Sequence, residues 1–141
     1  MGDIQSRRMI LDFLRQHTLA VIATCGRDGR PEAAAIDFSV RDDLEIVFDT
    51  FEHTRKFANL LEQSRIALVI GWDNNITVQY EGDATKVSAD DLERYQEAHV
   101  KSVPAEREFV EKGAVVFRVE PRWIRYSDYS KTPPDVIELG F

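Results

Sequence analysis

Two strand-like runs, Leu19 to Cys25 and Pro31 to Val40, flank Gly26-Arg27-Asp28-Gly29-Arg30, and this spacing constrains the fold more than any other feature of the chain. Asp-Gly between β-rich segments is a strong short-range hairpin signal, because these residues tolerate the backbone angles of a tight turn. The chain therefore opens an antiparallel sheet, and the pattern continues. Arg41-Asp42-Asp43 turns into a predicted strand Leu44 to Thr50. Arg65 to Gly71 is a further predicted strand, and Asp73-Asn74-Asn75 turns into a long one, Ile76 to Val87. Ala114 to Glu120 and Trp123 to Tyr129 are the last two, bent apart at Pro121-Arg122. So many strands in 141 residues must hide their edges, which favours closure toward a barrel. Gly82, inside the longest strand, marks a bulge or a close approach of another segment.

Helical spacing is confined to short stretches. Ile10, Phe13, Leu14 and His17 give an amphipathic helix over Ile4 to His17. A second is predicted from about Thr54 to Gln63, with Phe57, Leu60 and Leu61 on one face. Ser88 to Asp91 fits a capping box and starts a helix carrying Leu92, Tyr95 and His99. Lys101 to Lys112 reads as a polar helical connection interrupted by Pro104, with Glu106 to Lys112 a solvated face. Lys131 to Asp135 begins an extended tail. The fold class is mainly β with helices (α+β), in a single domain over residues 1–141.

Composition narrows the function. A formal net charge of -7 argues against nucleic acid as the main partner. One cysteine, Cys25, permits neither an internal disulfide nor a cysteine-cluster metal site. The three histidines, His17, His53 and His99, show no metal-ligand spacing, so no metal is expected. His99 reads as a surface or interface residue. The N-terminus lacks a signal-peptide layout and no run is long enough to span a bilayer, so a cytoplasmic protein without a membrane partner is expected.

Against this acidic background, Phe48 to Leu60 stands out. It reads as a strand end, a short loop and the start of a helix, with Thr50, Thr54, Arg55 and Lys56 clustered where the helix begins. Unpaired backbone N–H groups and the positive end of the helix dipole meet there, and two hydroxyls and two cations complete a phosphate seat. A threonine N-cap followed by solvated charges explains the same residues in purely structural terms.

Three segments in order resemble the pyridoxamine 5'-phosphate oxidase-like, FMN-binding split-barrel family. They are the hairpin Leu19 to Pro31, the strand–loop–helix Phe48 to Leu60, and Val115 to Pro121 with Trp123 to Tyr126. The resemblance implies an antiparallel split β-barrel of FMN-binding type and a homodimer with FMN at the subunit interface. It implies that Arg55 and Lys56 grip the FMN phosphate, with Thr50, Thr54 and the neighbouring Asp49 on the phosphate side. The strand containing Ala35, Ile36, Asp37 and Phe38 would run along the flavin ring, and the small residues Ala33 to Ala35 would let the ring approach the backbone. Thr77 or Gln79 would meet the flavin, the choice depending on strand register.

In its C-terminal region the chain lacks the Arg-x-His substrate motif and the flavin-facing tryptophan of the vitamin B6 oxidases; it has Trp123-Ile-Arg-Tyr-Ser-Asp-Tyr129 there instead. Vitamin B6 oxidation is therefore not assigned, and the chain resembles the general-stress-protein-like, predicted flavin-nucleotide-binding branch. The expected function is an FMN-dependent oxidoreductase acting on a small molecule. A non-catalytic flavin carrier and a haem- or F420-binding split barrel are the alternatives.

Overall fold

A computed structural model describes residues 2–141. Its eight strands form one antiparallel sheet: β1 Leu19–Cys25, β2 Pro31–Asp37, β3 Ser39–Val40, β4 Ile46–Thr50, β5 Arg65–Ile70, β6 Ile76–Lys86, β7 Val115–Asp128 and β8 Asp135–Gly140. Four helices accompany them: α1 Asp3–Arg15, α2 Arg55–Glu62, α3 Ala89–Ser102 and α4 Arg107–Glu111. The strand order is β2-β1-β5-β6-β7-β4-β3, with β8 added on β7. The sheet curls into a half-barrel, and its two margins, β2 and β3–β4, approach each other without pairing.

Alternation along each strand creates the inside. Ala20, Ile22 and Thr24 of β1, Ile66, Leu68 and Ile70 of β5, and Val78 and Tyr80 of β6 are buried on one face. Ile10, Leu11 and Leu14 of α1 join the same core. Tyr80 spans the interior. Its hydroxyl lies 2.7 Å from Leu44 O and 3.1 Å from Val119 O and donates between them. Burial pushes the pKa of that hydroxyl up, so it remains a donor.

The hairpin forms as predicted. Gly29 takes φ +81, Gly29 N–H donates to Gly26 O at 2.9 Å, and Gly26 N–H donates to Arg30 O at 2.8 Å. Other boundaries move. The run Pro31 to Val40 breaks at Phe38, which tucks its ring into the core while its N–H returns to Thr18 O at 2.8 Å. The last two predicted strands are one strand, β7, which carries Pro121 through a bulge instead of ending there. Glu81 faces Trp123 and Gly82 faces Pro121, leaving Arg122 as the extra residue. The extended tail is also a strand: β8 pairs with the second half of β7 from Asp135↔Asp128 to Gly140↔Trp123.

Helix α3 covers the outer face of β4 and β7. Tyr95 packs with Val47, Val87 and Val116, and its hydroxyl donates to the buried Glu45 at 2.5 Å. Arg118 Nε lies 3.0 Å from the same carboxylate, which balances its charge.

Candidate phosphate seat and buried acidic cluster

Helix α2 starts where β4 ends. Thr54 is the N-cap in extended conformation, and its Oγ1 accepts from Phe57 N–H at 3.3 Å. The same hydroxyl lies 2.7 Å from Thr50 Oγ1 and 3.0 Å from Phe51 O. The N–H groups of Arg55 and Lys56 have no partner among the described residues. They are two of the orphan donors that every helix start leaves. Arg55 and Lys56 line a recess of about 110 Å³ together with Ile22, Thr24, Glu32, Ala33 and Ala34. It is large enough for a phosphate group and too small for a flavin ring. Glu32 pairs with Arg55 at 3.2 Å and accepts from Asn59 Nδ2 at 2.8 Å, which fixes the floor of the recess. Burial pushes the Lys56 pKa down and the Asp49 carboxylate pushes it back up.

The open margin of the sheet adjoins this recess. Phe38 N–H and Gly26 N–H bracket the β1–β2 ladder, so Glu32, Ala34 and Ile36 exchange hydrogen bonds with β1. The N–H and C=O groups of Ala33, Ala35 and Asp37 therefore point away from β1. β2 pairs with no other strand, so these groups face the gap. Ala33 and Ala35 are exposed there.

The remaining predicted site residues divide by face. Ile36 and Phe38 are core residues. Thr50 points inward with Ile46 and Phe48, whereas Asp49 points outward beneath α3. Thr77 and Gln79 share the outer face of β6, opposite Val78 and Tyr80. β6 is three strands from β2, about 14 Å at ordinary strand spacing. One chain therefore keeps these two residues on the opposite face of the sheet from Ile22 and Thr24, which line the recess.

A second constellation lies where β2, β4 and the α3–α4 connection meet. His99 is 1% exposed, which corrects the surface or interface position expected of it. Its Nε2 lies 3.2 Å from Asp49 Oδ2 and its Nδ1 lies 2.7 Å from Ser39 Oγ. Glu106 is 4% exposed, in a short 3-10 turn Pro104–Glu106, which corrects the solvated helix face expected of it. Its carboxyl reaches both Asp49 and Asp37, one on each margin of the gap. Burial first, and then these two carboxylates, raise its pKa from 4.5 to about 9. His99 signals its burial by sharing a helical face with Leu92 and Tyr95. Nothing local to Glu106 announces its position.

This proton ties stability to pH. Glu106 keeps it in the folded chain and loses it near 4.5 when unfolded. Its stabilising contribution is fully present below that value and is lost as pH rises toward about 9. His99 from α3, Asp37 from β2 and Asp49 from β4 are the other titratable groups that surround it. Thermal melts between pH 5.5 and 9 are expected to show stability falling by up to about 1.4 kcal/mol per pH unit. Glu106→Gln, whose amide donates to both aspartates at any pH, should flatten that slope.

Residues 7–128 match the sequence profile described as pyridoxamine 5'-phosphate oxidase. The chain belongs to the pyridoxamine 5'-phosphate oxidase family. A curated member, the pyridoxine/pyridoxamine 5'-phosphate oxidase of Ehrlichia ruminantium, is 28% identical over 94 residues, covering 66% of this chain and 48% of the relative. The chain thus spans about half the length of that oxidase. Two solved structures share the split-barrel fold. A heme binding protein from Mycobacterium smegmatis has a TM-score of 0.80 at 16% identity, covering 94% of this chain and 57% of the other. A pyridoxamine 5'-phosphate oxidase-related, FMN binding protein from Nostoc punctiforme has a TM-score of 0.66 at 13% identity, covering 100% and 97%. At these identities the likeness speaks for the fold alone. Among the described residues no helix is long and apolar enough to cross a membrane.

Proposed function

We propose that the chain binds FMN and works as a flavin-dependent oxidoreductase on a small molecule. The observation that carries this reading is the recess itself. Arg55 and Lys56 line it with Thr24 and Glu32 beside an unpaired strand edge, and the N–H groups of the same two residues open the helix there without backbone partners. The FMN phosphate would sit against Arg55, Lys56 and the first turn of α2, with Thr50 and the Thr54 cap shaping the loop. The ring would lie along Ala33, Ala35 and Asp37, whose N–H and C=O groups match its alternating polar edge. FMN supplies hydride and electron transfer; the protein's part is to hold the phosphate, present backbone donors to the ring and exclude water from one side of it.

Two copies are part of this reading. Leu19, Val21 and Val69 are exposed apolar residues on the outer face of adjoining β1 and β5, and Trp72 is exposed at the end of β5. Such a patch favours a protein partner. A second copy of the chain would also bring Thr77 and Gln79 of one protomer toward the phosphate seat of the other, which a single chain cannot do.

The test is the absorption spectrum of the freshly purified protein, with the released ligand weighed by mass spectrometry and donor oxidation compared with free FMN. Flavin bands, an FMN mass and turnover above free FMN are the expected result. Flavin without turnover would make the chain a carrier. A Soret band would replace flavin by haem. A colourless protein that refuses added FMN would overturn the proposal.

A further inference from the structure

We propose that His99, Asp49 and Glu106, with Asp37 beside them, form a binding site for a divalent first-row metal ion. One ligand atom from each of the first three lies within 4.8 Å of the others. They come from three separate elements, α3, the turn before α4, and β4, so the fold gathers them deliberately at one buried point. Two features distinguish the cluster from an ordinary group of surface acids.

The first is Glu106. It is 4% exposed, and among the described residues no N–H or O–H group other than a carboxyl donates to it and no cation pairs with it. Its carboxyl is aimed at two other carboxylates. A buried carboxyl beside two half-buried ones and a buried imidazole calls for positive charge, which either a proton or a metal ion can supply. The second is the support of His99. In the metal-free chain Nε2–H donates to Asp49; once a cation takes the Nε2 lone pair, Ser39 Oγ, 2.7 Å away, accepts from Nδ1–H instead. An imidazole held by its second nitrogen is how proteins orient histidine ligands. Lys56 feels the Asp49 carboxylate and belongs to the phosphate recess.

One imidazole and two or three carboxylates suit zinc or manganese(II) better than a soft or square-planar ion. A cation about 2.1 Å from each donor needs donors roughly 3 to 3.5 Å apart. The ligand atoms, now within 4.8 Å of one another, would draw together to that spacing as the ion binds.

The experiment is titration of chelator-treated protein with ZnCl2, and separately MnCl2, by calorimetry and thermal melting. One Zn2+ per chain is expected, with the melting temperature rising about 5 °C or more at a hundredfold excess over Kd. Glu106→Gln and His99→Ala should each weaken binding at least 100-fold, while His53→Ala leaves it unchanged. Co2+ added instead should give visible d–d bands that Glu106→Gln removes. Glu106→Gln keeps hydrogen bonds to both aspartates, so it decides the matter even if His99→Ala fails to fold. No binding to the native chain, or binding that survives Glu106→Gln undiminished, would overturn the proposal. Neither outcome depends on whether the chain holds flavin.

Discussion

Arg55→Ala/Lys56→Ala is expected to lower FMN affinity at least 100-fold while leaving the melting temperature nearly unchanged. The size follows from the bonds lost. Charge-assisted hydrogen bonds contribute about 1.5 to 3 kcal/mol each, so two of them give about 3 to 6 kcal/mol before discount. Arg55 is 75% exposed on its side chain, so its share is screened and the lower end applies. The loss has a second part. Glu32 is paired with Arg55, and removing the arginine leaves a carboxylate facing the recess with no cation on it. The phosphate would then meet repulsion where it now meets attraction. Stability is spared because Thr54 caps α2 and Phe57 and Leu60 anchor it to the core, none of which the double change touches. Fluorescence titration of apoprotein with FMN measures the effect, and fold is checked by circular dichroism. Affinity within threefold of the native chain would remove the recess as the phosphate site.

Gly82→Ala is expected to cause a large loss of stability. A Cβ at Gly82 would stand 2.3 Å from Glu120 O, 2.9 Å from Val119 Cγ1 and 3.1 Å from Glu120 C. The first and last are backbone atoms, so no side-chain rotation relieves the clash. β6 and β7 would have to separate at their bulge, and this pair runs the length of the half-barrel. Overpacking typically costs 1 to 3 kcal/mol, and a backbone clash places this case at about 3 kcal/mol or above. For a chain of this size that is a fall of about 6 to 12 °C in melting temperature. A fall below 3 °C would mean that the bulge relaxes at little cost.

The sequence announced these two features for the same reason: both are local. The N-cap of α2 is decided within four residues, from Thr54 to Phe57, and a glycine inside a long strand marks its own close contact. The hairpin at Asp28-Gly29 was legible on the same grounds. What the sequence hid depends on distant partners. β8 is an exception, since its partner, the second half of β7, lies just before it in the chain; it looked like a tail because Pro133-Pro134 precede it. Asp37, Asp49, His99 and Glu106 are spread across four segments, and only the docking of α3 on β4 and β7 brings them together. Asp49 shows the limit most clearly. It sits next to Thr50 in the chain, yet strand alternation turns the two side chains to opposite faces.

The unpaired margin of β2 has one more consequence. A free strand edge invites templated addition of other chains and, through it, fibrils. Here the uncharged stretch Ala33 to Ile36 is only four residues long, and Pro31, Glu32 and Asp37 bracket it. Proline brings no donor to an incoming strand, and a run of four is shorter than the roughly six residues of a zipper-forming segment. The margin can therefore stay unpaired without seeding fibrils.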